Sequence, residues 1–293
     1  MQILQLPGRL EKHNLYIGFK DFKQNNPKIN SEICIDFTKL NFAKPPGIVY
    51  LTILTDYLKQ KNIQVSFKGT ENNKEVIKYL DDSGFFEYTM GKKLDEINSR
   101  RETTSQLHVV KNECRHSWVD QNFIPWLSKV SEVSIASFSE VSTCLKEIFN
   151  NIDDHTNCGT GCAFGQWYPN KREIIFTLAD FGIGIPKSVR NYGRNLSDND
   201  AIQLAATDGF TTKSTPGNRG AGLCYLIDNI VKNFCGKVTI RSLNGYVEFK
   251  NTSGSVKQSS HENCGYCIGT SIDIVFNTDN LVDDTIIEEE LEW

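Results

Sequence analysis

The chain lacks any run of about 18 apolar residues, so no membrane-crossing helix is expected. Its first residues, Met1-Gln-Ile-Leu-Gln-Leu-Pro7-Gly8, contain no basic stretch followed by an apolar one, which argues against a secretory signal. Neither sign of charge dominates. With 32 Lys+Arg against 36 Asp+Glu the net charge is -4, too little positive charge for bulk attraction to nucleic acid or an anionic membrane. A disulfide framework is also missing: the 9 cysteines are odd in number and follow no export signal, so reduced thiols are expected. Internal repeats and low-complexity tracts are absent. These absences point to a cytoplasmic globular protein with neither membrane nor nucleic acid as partner. What is present is ample: 293 residues with 39% apolar content can bury a core and suggest about two domains.

The first third alternates strand and helix signals. Ile33 to Phe37 alternates like a strand, and Ile48 to Lys59 carries Leu51, Leu54 and Leu58 at helical spacing after the Pro45-Pro46-Gly47 breaker. Asn62 to Phe67 reads as a second strand, and Asn73 to Asp82 as a second helix stopped by Gly84. Such alternation predicts an α/β unit over residues 1–115. Residues 88–115 read as an exposed connection or hairpin. Trp118 to Val130 reads as a helix that Pro125 kinks or interrupts.

A second domain is predicted over 116–277, ahead of an acidic tail, 278–293. Its strongest element is a helix from Ser137 to Asp154, capped by Ser137 or Ser139 and striped with Val141, Leu145, Ile148, Phe149 and Ile152. Strands are expected at Cys162–Tyr168, Glu173–Leu178, Lys237–Ser242, Tyr246–Phe249 and Thr270–Phe276. Helices are expected near Asp198–Ala206 and over Ala221–Asn233, with the rest of 186–220 irregular.

Three segments carry candidate chemistry. Glu147 and Asn151, four residues apart, share one helix face, with Asp154 and His155 a turn later and the apolar stripe opposite. An amide oxygen at Asn151 suits Mg²⁺, and a carboxylate at Glu147 suits orienting or deprotonating a nucleophile. The plain alternative is a solvated helix face. Asp180 ends an apolar strand and is followed by Gly182 and Gly184. A carboxylate there can accept a hydrogen bond from an amino-bearing ring while the glycines let backbone approach it. The plain alternative is a simple turn. Finally, Gly217-Asn-Arg219-Gly220-Ala221-Gly222 precedes a helix, whose free N–H groups favour phosphate, with Lys213 and Arg219 as nearby cations. No Gly-Lys-Ser/Thr follows, so it is no Walker A loop. A flexible surface loop is the plain alternative.

In order and spacing, these segments resemble the GHKL ATPase superfamily (gyrase, the large chaperone class, histidine kinases and MutL) over roughly residues 137–276. Glu147 and Asn151 match its N box, and Asp180, Gly182 and Gly184 its adenine-binding glycine box. Gly217, Gly220 and Gly222 match the mobile lid box, and Gly269-Thr270 the final Gly-Thr pair. The resemblance implies a Bergerat-type α/β sandwich with a mixed sheet, ATP as ligand, Mg²⁺ on Asn151, adenine on Asp180 supported by Thr270, phosphates on residues 217–222, and Glu147 as catalytic base. Asp154-His155 resembles the ending seen in anti-sigma-factor branches. His116 has no dimerisation helix around it, which disfavours a sensor histidine kinase. With the run Ile33-Cys-Ile-Asp-Phe-Thr-Lys-Leu-Asn-Phe42 ahead of a helix and the later Asp82-Ser-Gly-Phe85, residues 33–86 loosely resemble a STAS-like domain. There the loop Ala43-Lys44-Pro45-Pro46-Gly47 offers no hydroxyl for a phospho-switch, so a scaffold or docking role is implied.

Cys158-x-x-x-Cys162 and Cys264-x-x-Cys267, with His261 nearby, resemble two halves of a zinc site, although buried free thiols satisfy the same spacing. The leading expectation is therefore a mixed α/β (α+β) protein that hydrolyses ATP with Mg²⁺ and changes a protein partner or homodimer surface through its lid. A serine/threonine kinase of anti-sigma type and a non-hydrolysing nucleotide-sensing adaptor remain the two other readings.

Overall fold

The structure is a computed structural model that describes residues 1–11, 14–26, 28, 30–71, 74–97, 99–110, 115–155, 161–210 and 222–281, with the side chains of 15, 110, 115–116 and 150–155 left aside. The class is mixed α+β, as expected. In the first third, strand β1 (Gln2–Gln5) and the short β2 (Arg9–Leu10) precede helix α1 (Asn14–Asn25). β3 (Glu32–Asp36), β4 (Phe42–Ala43), α2 (Pro45–Gln60) and β5 (Gln64–Lys68) follow, then α3 (Glu75–Asp82) and α4 (Phe85–Met90). Strands β1, β3 and β5 form a parallel sheet in that order, and β2 pairs with β4.

α2 begins at Pro45, three residues ahead of the expected start. Proline at the first helical position loses no hydrogen bond, because that N–H has no intrahelical partner anyway. Every residue from Pro45 to Thr55 is buried. A helix that is apolar all round needs cover all round. α2 finds it between β5 on one side and three strands of a second, larger sheet on the other. Thr52 and Thr55 satisfy their hydroxyls on the carbonyls of Ile48 (2.9 Å) and Leu51 (2.8 Å), so neither is an unpaired buried donor.

The larger sheet starts with β6 (His108–Val110), an edge strand inside the segment expected to be a connection. The chain then runs through α5 (Arg115–Trp118) and α6 (Ile124–Ser131). Between them, one π turn at Val119–Phe123 widens the helix, which continues through Pro125 instead of breaking. Next come α7 (Ser139–His155), β7 (Gly161–Tyr168), β8 (Glu173–Asp180), α8 (Ile185–Asn191), α9 (Asp198–Ala205) and α10 (Gly222–Asp228). β9 (Lys237–Leu243), β10 (Gly245–Thr252), β11 (Ser255–Ser260) and β12 (Cys267–Asn277) complete it. α8 lies in a stretch expected to be irregular. Ser139 has helical dihedrals, as does Ile135 before it, so helical structure begins ahead of both serines expected to cap it.

The seven strands lie in the order β11-β10-β9-β12-β8-β7-β6, and every neighbouring pair is antiparallel. Parallel pairing is thus confined to the N-terminal strands, and the expected mixture lies between the sheets rather than within the large one. Alternation along these strands divides two cores. One face presents Phe176, Leu178, Ile240 and Ile272 to Leu145 and Phe149 of α7 and Leu226 of α10. The opposite face presents Cys162, Phe164, Ala179 and Ile268 to the N-terminal layer, including Tyr16, Tyr50 and Ile53. Among the described residues no helix is long and apolar enough to cross a membrane.

Candidate functional site

Antiparallel register sets the centre of the site. Thr270 on β12 lies opposite Asp180 on β8 and opposite Ser242 on β9, so three polar residues form one row across the sheet. Asp180 follows Leu178 by two residues, which puts the row on the face covered by α7 and α10.

The turn after Asp180 folds back onto this row. The Gly182 N–H donates to Asp180 Oδ1 at 2.5 Å. Gly184 has φ +82, a conformation that favours glycine, and an added Cβ would stand 2.7 Å from Ser242 Oγ. The Ile185 N–H then donates to Ser242 Oγ (3.0 Å) and more weakly toward Thr270 Oγ1 (3.4 Å). Ser242 Oγ donates to the Gly269 carbonyl (2.7 Å) and lies 3.1 Å from Thr270 Oγ1. Gly269, also at positive φ, abuts the Asp180 backbone so closely that a Cβ would be 2.1 Å from its carbonyl oxygen. Asp180, Gly182, Gly184 and Thr270 are therefore brought together in the structure.

Surrounding protein withdraws water from the Asp180 carboxyl, and this burial pushes its pKa up to about 7. Hydrogen bonds from Gly182 and Thr270 partly oppose the rise. The residue as a whole is half-buried. Near neutral pH this carboxyl keeps its proton more readily than an ordinary aspartate.

At the other end, Glu147 is half-buried on α7. Gly222, the first residue of α10, lies against it, and a Cβ at Gly222 would sit 2.2 Å from Glu147 Cγ. This contact joins the start of α10 to the side chain expected to act as base. Asn151 stands one turn further along α7. Its side chain, together with Lys213, Gly217, Arg219, Gly220 and Ala221, lies outside the described residues.

Sequence reasoning missed Ser242. It was read only as the end of a strand, and its role depends on a cross-strand register that spans 28 residues. Also unforeseen was a charged cluster on the opposite face of the sheet. Arg241 and Asp273 form a buried ion pair, and Asp273 Oδ1 accepts the Thr177 hydroxyl at 2.9 Å. The Arg241 guanidinium lies 5.0 Å from the Tyr16 ring and 4.9 Å from the Tyr246 ring.

The cysteines divide differently from a zinc site. Cys162 and Cys267 are buried in the core shared with the N-terminal layer, and burial raises both thiols well above their ordinary pKa. Cys264 is half-buried, and the His261 ring packs edge-on against Tyr246 at 5.2 Å. Among the described residues no group of three or more His, Cys, Asp or Glu could hold a metal ion, and Cys158 lies outside them.

No protein-family model matches the chain, and no curated protein matches it in sequence.

Proposed function

We propose that this chain is a GHKL-type ATP-binding protein, with the base held at Asp180 and the phosphates directed toward Glu147 and the start of α10. The observation that supports this most is the Asp180–Thr270–Ser242 row with its glycine turn, on the sheet face covered by the helix that carries Glu147. A carboxylate beside backbone that no side chain can shield suits a flat, amino-bearing base. Gly184 and Gly269 supply such backbone. The ionised Asp180 accepts the exocyclic amino hydrogen, and Thr270 supports that carboxylate.

In this reading ATP is the substrate and contributes the electrophilic terminal phosphorus, with its charge neutralised by Mg²⁺. Glu147 takes a proton from water as the oxygen–phosphorus bond forms and the bond to the bridging oxygen breaks. Gly222 packs against Glu147 and limits where its carboxylate can turn. Asn151, one turn beyond Glu147, is the proposed metal contact by resemblance. The N-terminal layer, STAS-like in this proposal, serves as a scaffold, with a protein partner or a second copy receiving the lid's movement.

Calorimetry with ATP and Mg²⁺ tests the reading. Saturable binding is expected, and Asp180→Ala should abolish it. Glu147→Ala should keep binding and lose phosphate release. Heat of binding without release in the wild type would favour the adaptor, and radiolabel appearing on an added protein the kinase. No binding at all overturns the proposal.

A further inference from the structure

The segment leading into Thr270 is gripped from behind by the N-terminal layer. Gly265 has φ +97, and a Cβ there would stand 2.4 Å from the carbonyl carbon of Tyr16. The Tyr266 N–H donates to the Tyr16 carbonyl oxygen at 3.2 Å, and the Tyr50 hydroxyl donates to the Tyr266 carbonyl at 2.7 Å. The Tyr16 hydroxyl reaches Ser271 Oγ at 3.3 Å, and its ring lies against Arg241. Each of these back-face residues adjoins a pocket residue in sequence: Ser271 follows Thr270, and Arg241 precedes Ser242. The proposed nucleotide chemistry uses none of them. Yet the cluster contains a buried ion pair, whose desolvation is costly and which is therefore poor evidence of a purely stabilising role.

We propose that Tyr16 and Gly265 are positioning residues for the base-binding end of the pocket, fixing Gly269 and Thr270 against Asp180 through the clasp between α1 and the β11–β12 loop. This rests on the nucleotide reading and adds to it a control point in the N-terminal layer. Base recognition is then coupled to how α1 sits. By reciprocity, an occupied pocket tightens the clasp.

The test uses the full chain, with adenosine and ATP·Mg²⁺ as separate probes. Gly265→Ala and Tyr16→Leu should weaken both ligands by the same factor, roughly fivefold or more, because the base end is common to both. Tyr16→Phe keeps the ring against Arg241 but loses the Ser271 contact, and should weaken both ligands less than Tyr16→Leu does. Thermal unfolding confirms that each variant is folded, and a merely structural role would lower the melting temperature without changing affinity. In the unaltered chain, saturating adenosine should slow hydrogen exchange at the Tyr266 amide, which keeps the test independent of whether variants fold. Unchanged affinities in folded variants, or unchanged exchange at Tyr266, overturn this inference alone. Failure of the wild type to bind either probe overturns the nucleotide reading and this inference with it.

Discussion

The helix α2 of the N-terminal layer and the end of the seven-stranded sheet handle polar groups differently. In α2 the buried hydroxyls of Thr52 and Thr55 are closed on their own helix, while Tyr50 reaches across to the sheet, at the Tyr266 carbonyl. Around the large sheet, polar residues from distant segments converge at one end of the strands. Asp180, Ser242 and Thr270 meet on one face, and Arg241, Asp273 and Ser271 on the other. Closed groups stabilise a fold, whereas converging groups that keep capacity to spare are where ligand chemistry arises. On the proposed reading, recognition falls to the large sheet and support to the layer behind it.

The largest expected effect tests whether the back-face charges belong to that support. Arg241→Met alone leaves Asp273 buried without its partner and should cost about 3–5 kcal/mol in denaturant unfolding. Arg241→Met with Asp273→Leu should recover most of that loss. If the double variant is as unstable as the single, the pair is not an isolated charge problem.

Two glycines then separate support from recognition. A Cβ at Gly47 would stand 2.5 Å from Leu10, inside the N-terminal layer. Gly47→Ala should cost about 1–3 kcal/mol by overpacking while leaving nucleotide affinity of the folded chain unchanged. Gly269→Ala forces a carbon against Asp180 and should remove nucleotide binding even where unfolding shows a folded chain. Equal effects of both on affinity would erase the distinction.

His108 on β6 stacks on Trp118 with ring centroids 4.6 Å apart, and burial lowers its pKa from the ordinary 6.5 to about 4. Because the folded state disfavours the charged ring, its contribution is fully present above pH 6.5 and is lost as pH falls from 6.5 towards 4. The loss amounts to about 3 kcal/mol at most. His108→Phe should flatten stability over that window while leaving affinity alone.

The last test reads affinity rather than stability and concerns Asp180, whose raised pKa has the opposite sign. The folded protein holds this proton up to about pH 7 while the unfolded chain releases it near 3.8, so stability from this group falls as pH rises between those values. On the proposed reading, adenine binding needs the ionised form. Affinity should therefore rise with pH by at most roughly tenfold per unit below 7 and level off above it. A flat profile across pH 5.5–8 would show that the base does not contact this carboxylate.

The residues that cluster around Asp180 could be named from the sequence, because Asp180 with its glycines and the Gly269-Thr270 pair are short contiguous motifs that carry the family resemblance. What stayed hidden depended on long-range pairing. Ser242 gains its partners only through register with β12, and Arg241 finds Asp273 32 residues away. β11, Ser255–Ser260, has one apolar residue because it is an exposed edge strand, so no hydrophobic alternation marks it. β6 is three residues long and α8 seven, too short for a period to emerge. α1 went unread, although its Tyr16, Phe19 and Phe22 recur at helical spacing and are buried. α2 was found by its leucines, but an all-apolar circumference could not say that two sheets would share it.

That shared helix decides how the chain can be divided. Removing residues 1–90 would strip α2 from β7, β8 and β12 and leave Phe164, Ala179 and Ile268 wetted on a broad greasy plane. A fragment beginning near His108 should clump or recruit a surrogate cover, and any dissection of this protein has to carry its first five strands and α2 along with the last seven strands.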